Sequence, residues 1–210
     1  MLKTIKENTS AEIIEKKSKF IANVYYIQSE EEAEEIIKQI RKQYHDAKHH
    51  CYAYSIMTKN GIKNKMSDDG EPSGTAGMPM LNILVKRELV NVLVIVTRYF
   101  GGILLGTGGL LRAYSEATLQ AIEKTEMVIE EIGYEVEIII QYQELEKIQY
   151  YCQKNAITIL KIEYEEKVKC ILEMTEEEKE KIEQLKKEFT LKIENITKLK
   201  MKNIRKNIEK

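Results

Sequence analysis

The order of apolar and polar positions predicts alternating strands and helices in the first part of the chain. Short stretches rich in β-branched and aromatic residues indicate strands at residues 11–17, 20–27, 51–57 and 91–98. The last stretch, NVLVIVTR, is an almost unbroken apolar run, which is typical of a strand buried on both faces. Ser29 and Glu32 have the spacing of a capping box, and apolar residues then recur at helical spacing up to Ile40.

A turn is predicted at residues 59–61, after the strand at 51–57, and a further strand follows it. Two further helices complete this part, whose predicted order is β-β-α-β-β-α-β-α. Pro79 suits the first turn of a helix that carries Met80 and Leu84. Gly108 and Gly109 lead into a longer helix with an apolar inner side.

The second part of the chain has the predicted order β-α-β-β-α-β. Its strands are expected at residues 134–142, 157–164, 167–174 and 190–198. Its helices are expected at residues 144–154 and 176–188, the second one opened by a capping box of Thr175 and Glu178. This order is the ferredoxin-like arrangement, which hosts many unrelated functions.

Glycine and proline divide the chain in two. Nine of the ten glycines and both prolines lie between residues 61 and 109. We therefore predict an α+β protein with two domains, residues 1–127 and residues 132–210.

Charge and cysteine content exclude several classes of protein. The 33 Lys and Arg residues nearly balance 34 Asp and Glu residues, which excludes a histone-like polycation. Three cysteines without a CxxC pair exclude a disulfide scaffold and a Cys-rich zinc module. The N-terminus lacks the apolar region of a secretory signal, and the longest aliphatic run, residues 92–96, is too short to cross a bilayer. We expect a cytoplasmic protein with reduced thiols and no membrane contact.

The sequence RYFGGILLGTGGLLRAYSEA, residues 98–117, is called here the glycine-rich segment. Glycines at the end of a strand and the start of a helix let a ligand approach backbone N–H groups, which favours anion binding. Thr107 stands where a P-loop needs Lys, and Leu111 stands where a dinucleotide fingerprint needs its third glycine. We predict an anion-binding or RNA-binding site made of Arg98, Gly101, Gly102, Gly106, Gly108, Gly109 and Arg112, with Ser73 and Thr75. The alternative is a tight strand-to-helix connection that binds nothing.

The sequence SDDGEPSGTAG, residues 67–77, is called here the acidic turn. Asp68, Asp69 and Glu71 could form the rim of the same cleft, or hold Mg²⁺ through oxygen ligands. The alternative is a solvated turn whose side chains cap local N–H groups.

Neighbouring histidines and Cys51 suggest two further sites that the spacing does not favour. His49, His50 and Cys51 alternate across a predicted strand, and no fourth zinc ligand follows at a suitable spacing. Cys51 lies on an apolar strand, where a cysteine is usually a small core residue rather than a nucleophile. We predict no catalytic residue, no bound metal and no cofactor. Tyrosines of the second domain, Tyr134 and Tyr164 among them, could instead stack on RNA bases or simply pack in the core.

Four blocks of the sequence resemble the YigZ/IMPACT family. The long ones are SDDGEPSGTAGMPML (67–81) and VTRYFGGILLGTGGLLRAYSEA (96–117); the short ones are KSKF (17–20) and HHCYAY (49–54). The resemblance covers nearly the whole chain. It implies a first domain like the second domain of ribosomal protein S5, and a second domain similar to the last domain of elongation factor G. Eukaryotic members of that family regulate translation, with the help of an extra N-terminal interaction domain.

These observations lead us to expect a non-enzymatic, translation-associated regulator that binds RNA or the ribosome through the glycine-rich segment. Two alternatives stay open. One is an enzyme that acts on a phosphorylated small molecule or nucleotide. The other is a protein–protein interaction module.

Overall fold

The computed structural model describes residues 2–58, 60–187 and 190–207, without the side chains of residues 200–203 and 207. They form two compact units, one made of residues 2–130 together with Asn207 and the other of Glu131–Lys206. Both units combine a sheet with helices, which confirms the predicted fold class. No helix in the described ranges is long and apolar enough to cross a membrane.

The first unit is built around one antiparallel sheet with the strand order β2-β3-β6-β4-β5. Its elements in chain order are β1 (Lys3–Ile5), β2 (Thr9–Glu15), β3 (Ser18–Tyr26), α1 (Glu30–Gln43), β4 (His49–Thr58), β5 (Gly61–Ser67), α2 (Gly77–Lys86), β6 (Val92–Tyr99) and α3 (Gly106–Ile122). The predicted order of elements is confirmed, with the short β1 as an addition.

Strand β6 lies at the centre of this sheet and is buried on both faces, as its apolar run predicts. Val92, Val94 and Val96 pack with α2 and α3 on one face. Leu93 and Ile95 pack with α1 on the other. Alternate residues of one strand therefore serve two cores, and the end of β6 is held rigidly where the glycine-rich segment begins.

The second unit has the sheet order β10-β7-β9-β8, which is the ferredoxin-like topology. Its elements are β7 (Met127–Ile140), α4 (Leu145–Lys154), β8 (Thr158–Tyr164), β9 (Val168–Thr175), α5 (Glu176–Lys187) and β10 (Ile193–Asn207). Strand β7 begins at Met127 rather than at residue 134. Its first four residues, 127–130, belong to the first unit, where residues 127–129 pair with β1, a distant partner that local patterns cannot reveal. Glu188, at the end of the predicted second helix, lies outside the described residues.

Both predicted capping boxes are present. The Ser29 hydroxyl accepts the N–H of Glu32 at 3.2 Å, and the Glu32 carboxylate accepts the N–H of Gln28 at 2.8 Å. At α5 the Thr175 hydroxyl accepts the N–H of Glu178, and the Glu178 carboxylate accepts the N–H of Thr175. Each box satisfies donors that a helix start would otherwise leave unpaired.

Candidate functional site

The acidic turn and the glycine-rich segment meet in one site, joined by a buried carboxylate. Arg98 Nη1 at the end of β6 donates to Glu71 Oε1 at 2.7 Å, and the two side chains are only 7% and 4% exposed. The hydroxyl of Tyr114 on α3 donates to the same oxygen at 2.8 Å. One carboxylate therefore links the acidic turn, β6 and α3.

Arg98 forms part of the wall of this site, and its charge is already paired. Its guanidinium lies 5.4 Å from the ring centroid of Phe20 and 5.6 Å from that of Phe100. Nη2 reaches the hydroxyl of Ser18 at 3.4 Å. The Nε of Arg98 is buried and has no hydrogen-bond partner among the described residues. Arg98 was predicted to hold phosphate. In the structure its guanidinium pairs with Glu71 and lies near two aromatic rings.

Asp68 caps the start of α2. Its carboxylate accepts the backbone N–H groups of Gly74, Ala76 and Gly77 at 2.8–3.0 Å. Burial by itself would raise the pKa of this carboxyl, but the three donors outweigh burial and hold the pKa below its ordinary value. The side chain thus organises the acidic turn, as the capping alternative predicts.

Asp69 is held by different partners. Its Oδ1 accepts from Arg41 at 2.6 Å, and its Oδ2 accepts the N–H of His50 at 2.6 Å. The three carboxylates of the acidic turn are therefore directed to three separate sets of donors. Within the described ranges, no group of three His, Cys, Asp or Glu residues is placed to hold a metal ion. The geometry lends no support to Mg²⁺ on this turn.

The two hydroxyl residues of the acidic turn differ in exposure. Thr75 is buried, and its hydroxyl donates to the carbonyl of Pro72 at 2.6 Å. Ser73 is exposed to solvent. Thr75 therefore stabilises the turn, and Ser73 alone of the pair is open to a ligand.

Cys51 lies beneath the site as an inert thiol. Its Sγ is 3.0 Å from the carbonyl oxygen of Asp68 and 3.3 Å from the hydroxyl of Tyr114. Burial raises the pKa of this thiol to about 12, so that it stays protonated at neutral pH. Burial has the opposite effect on His50 and lowers its pKa, because it disfavours the charged imidazolium. The Nδ1 of His50 lies 3.0 Å from Thr97 Oγ1. A buried, protonated thiol is not poised for nucleophilic attack.

Most glycines of the glycine-rich segment are required by the fold. A Cβ on Gly101 would lie 2.0 Å from the carbonyl carbon of Lys17. Gly102 and Gly106 have φ angles of +83° and +70°, which other residues rarely adopt. A Cβ on Gly109 would lie 3.0 Å from Leu105 Cβ, tighter than most real contacts. At these positions glycine is therefore needed for a tight strand-to-helix connection, which was the alternative to ligand binding.

Gly108 differs from these glycines. Its φ is not positive, and the nearest described atom to an added Cβ is Arg112 Nη1, at an ordinary 3.7 Å. Neither backbone conformation nor crowding requires glycine there. A missing side chain at the start of a helix leaves room for a ligand to approach the backbone.

The N-terminus of α3 is open at this point. Its N-cap is Leu105, which has no side-chain acceptor, and its first turn carries no acidic residue. Such a helix start presents unpaired N–H groups and the positive end of the helix dipole. Arg112 follows on the same helix and is exposed to solvent.

A groove of about 450 Å³ lies between the two segments. It is lined by Pro72 of the acidic turn, by Phe100 and Leu104 of the glycine-rich segment, by the start of α3, and by Lys48. Sequence reasoning missed Lys48, Phe100 and Leu104. For Phe100 and Leu104 the signal was the apolar content of the run FGGILL, in which only the glycines were interpreted as functional.

Comparison with known proteins agrees with the resemblance of the sequence blocks. A family model described as the Impact N-terminal domain matches residues 16–122, and a domain of unknown function, DUF1949, matches residues 138–190. The chain belongs to the IMPACT family. The IMPACT family member YvyE of Bacillus subtilis (strain 168) is 41% identical over 177 residues, which is 84% of this chain and 80% of that protein. Both long sequence blocks lie within the range matched by the Impact N-terminal domain.

Two further relatives show how far this similarity extends. The IMPACT family member YigZ of Escherichia coli (strain K12) is 41% identical over 110 residues, 52% of this chain and 54% of that protein. A crystal structure of a hypothetical protein aligns with 95% of this chain and 97% of its own length, at 26% identity and a TM-score of 0.63. The two-domain architecture is therefore shared along nearly the full chain.

The tyrosines of the second domain differ in their surroundings. Tyr134 lies on the side of the sheet that packs against the helices, beneath the ammonium of Lys198. Tyr142 and Tyr164 stack on each other, with ring centroids 6.4 Å apart. Core packing, one of the two alternatives, therefore holds for Tyr134, whereas Tyr142 and Tyr164 are exposed to solvent.

Proposed function

We propose that this IMPACT family member is a cytoplasmic, translation-associated regulator that acts by binding RNA or a ribosomal surface. The observation that carries the proposal is the open N-terminus of α3, with the exposed Arg112 close to Gly108 in its first turn. Family membership supports it, because the resemblance described above implies translation regulators among the eukaryotic members.

The chemistry of the site favours binding over catalysis. Asp68, Asp69 and Glu71 are each held by donors within the fold, so none of them is free to act as a base or a metal ligand. The thiol of Cys51 is protonated and buried. An enzyme for a phosphorylated small molecule would need at least one such group to reach the substrate.

Phosphate is the ligand that fits the open helix start. Unpaired N–H groups can donate to its oxygens, and the Arg112 guanidinium can add a charge-assisted contact. The absence of a side chain at Gly108 leaves space for the phosphate at the first turn. Because the whole chain has a net charge of −1, we expect modest affinity that decreases as the salt concentration rises.

The test is the salt dependence of binding to purified ribosomes and to ribosomal RNA, between about 50 and 200 mM salt. Arg112→Ala should weaken binding and reduce the slope of log affinity against log salt by about 1, the value for one lost phosphate contact. Arg87→Ala is the matched control, because Arg87 is another exposed arginine of the same unit and pairs with Glu123 beyond the far end of α3. An equal slope for the wild type and Arg112→Ala would refute this assignment of the site.

A further inference from the structure

The groove beside α3 has an exposed apolar wall. Phe100, Ile103 and Leu104 are 54%, 42% and 83% exposed within the loop of six residues between β6 and α3. Phe100 and Leu104 line the groove together with Leu105 and Leu110. Three large exposed apolar side chains next to an apolar groove are unusual on a surface that faces only water.

This wall is anchored at its base. The N–H of Gly101 donates to the hydroxyl of Ser18 at 3.1 Å, and the Gly101 backbone packs directly against that of Lys17. The Phe100 ring lies over the guanidinium of the buried Arg98. A loop fixed in this way presents its apolar side chains in a set position, which reduces the entropy lost on binding.

The surroundings of the groove are basic. Lys48 lines it and is exposed. Lys16 and Lys17 form the turn that packs against Gly101; both are exposed, with φ angles of +45° and +65°. Glu71 also lines the groove, but it is buried and neutralised by Arg98. The groove therefore combines apolar walls with unbalanced positive charge.

We propose that this groove docks a protein segment that carries large apolar side chains flanked by carboxylates. The apolar side chains would pack on Phe100 and Leu104, and a carboxylate would face Lys48. An RNA backbone supplies the charge for such a site but not the aliphatic groups that these walls would bury. The inference goes beyond the proposed RNA contact, which depends on Arg112 and Gly108, and separate variants test the two.

The experiment uses the full chain and two fluorescein-labelled peptides of about 15 residues, long enough to cross the groove in either extended or helical form. Both peptides carry the same Leu and Phe residues, flanked by Glu in one and by Lys in the other. Fluorescence anisotropy should show that the Glu peptide binds about tenfold more tightly or better. Leu104→Ser should weaken the Glu peptide about fivefold or more, and Lys48→Glu should reverse the preference between the peptides.

Two controls complete the design. Ile62→Ser removes another exposed apolar residue, at the end of the sheet opposite to the groove, and should leave peptide binding unchanged. Arg112→Ala should also retain it, which separates a failure of this inference from a failure of the RNA proposal. Leu104 is almost fully exposed, so Leu104→Ser is expected to fold normally, as circular dichroism would confirm.

Three results would overturn the inference. One is that neither peptide binds, or that both bind equally. Another is that Leu104→Ser binds the Glu peptide as well as the wild type does. The third is that polyuridine binds while neither peptide does, and that Leu104→Ser abolishes the binding of polyuridine. That result would make the loop an RNA contact instead.

Discussion

Glu71 is the residue on which the geometry of the site depends most. Its carboxylate is buried and accepts from the guanidinium of Arg98 and the hydroxyl of Tyr114. Burial of these groups raises the pKa of the Tyr114 hydroxyl, which therefore remains a donor at any physiological pH. Removal of the carboxylate would leave a buried cation without a counter-ion, the costly half of a buried ion pair.

We therefore expect Glu71→Ala to lower the free energy of unfolding by about 3–5 kcal/mol, the range for breaking a buried pair. The double variant Glu71→Leu/Arg98→Met should recover most of that loss, because no uncompensated charge remains. Urea unfolding followed by circular dichroism measures both. A Glu71→Ala variant within about 1 kcal/mol of the wild type would contradict the structural role assigned to the pair.

The role of Asp68 as a helix cap can be tested through the pH dependence of stability. Its pKa is lower in the folded state than in the unfolded chain, so its contribution to stability is present above the ordinary pKa of about 3.9. That contribution is lost as the pH falls through the folded value. Asp68→Ala should cost about 1–2 kcal/mol at pH 7, as expected for a lost helix cap, and the difference from the wild type should narrow in acid. If the difference in free energy of unfolding between the variant and the wild type did not change with pH, Asp68 would not act as an ionised cap.

Among the elements, α3 shows what the sequence could predict and what it could not. The glycines and the apolar inner side predicted a helix after Gly108 and Gly109, and the helix is present, but it begins at Gly106. Patterns of residues could not show that Gly101 packs against the turn at Lys17, because that contact joins positions more than 80 residues apart. They could not show the pairing of Arg98 with Glu71 either, because these residues lie on separate elements 27 positions apart. Long-range contacts therefore decide which predicted site residues are free and which are structural.

Two glycine variants separate these roles within one element. Gly108→Ala should leave stability unchanged or raise it by up to about 1 kcal/mol, since alanine favours a helix and has room here, while it weakens binding to ribosomal RNA. Gly101→Ala should instead destabilise the fold, because its Cβ would overlap the backbone of Lys17. Thermal unfolding and RNA titration of both variants check the contrast. Loss of stability without loss of binding in Gly108→Ala would show that Gly108 serves the fold.

At the scale of the whole molecule, the element order of both units and the family could be predicted from the sequence. The strand ends could not: β7 begins seven residues before its predicted start because β1 pairs with it. Local patterns also could not predict the partners of the carboxylates in the acidic turn. These carboxylates accept from α2, α1 and β6 and do not converge on one ligand. The start of α3, Arg112, and the apolar groove with Lys48 beside it are open to a partner.

The most direct test of the central claim is co-sedimentation of the native, tagged protein with ribosomes on a sucrose gradient, at low and moderate salt, with a nuclease-treated control. We predict that the protein travels with a ribosomal subunit at low salt, that moderate salt releases it, and that Arg112→Ala releases it at a lower salt concentration than Arg87→Ala does. A protein that stays at the top of the gradient under every condition would contradict the proposed translation-associated function.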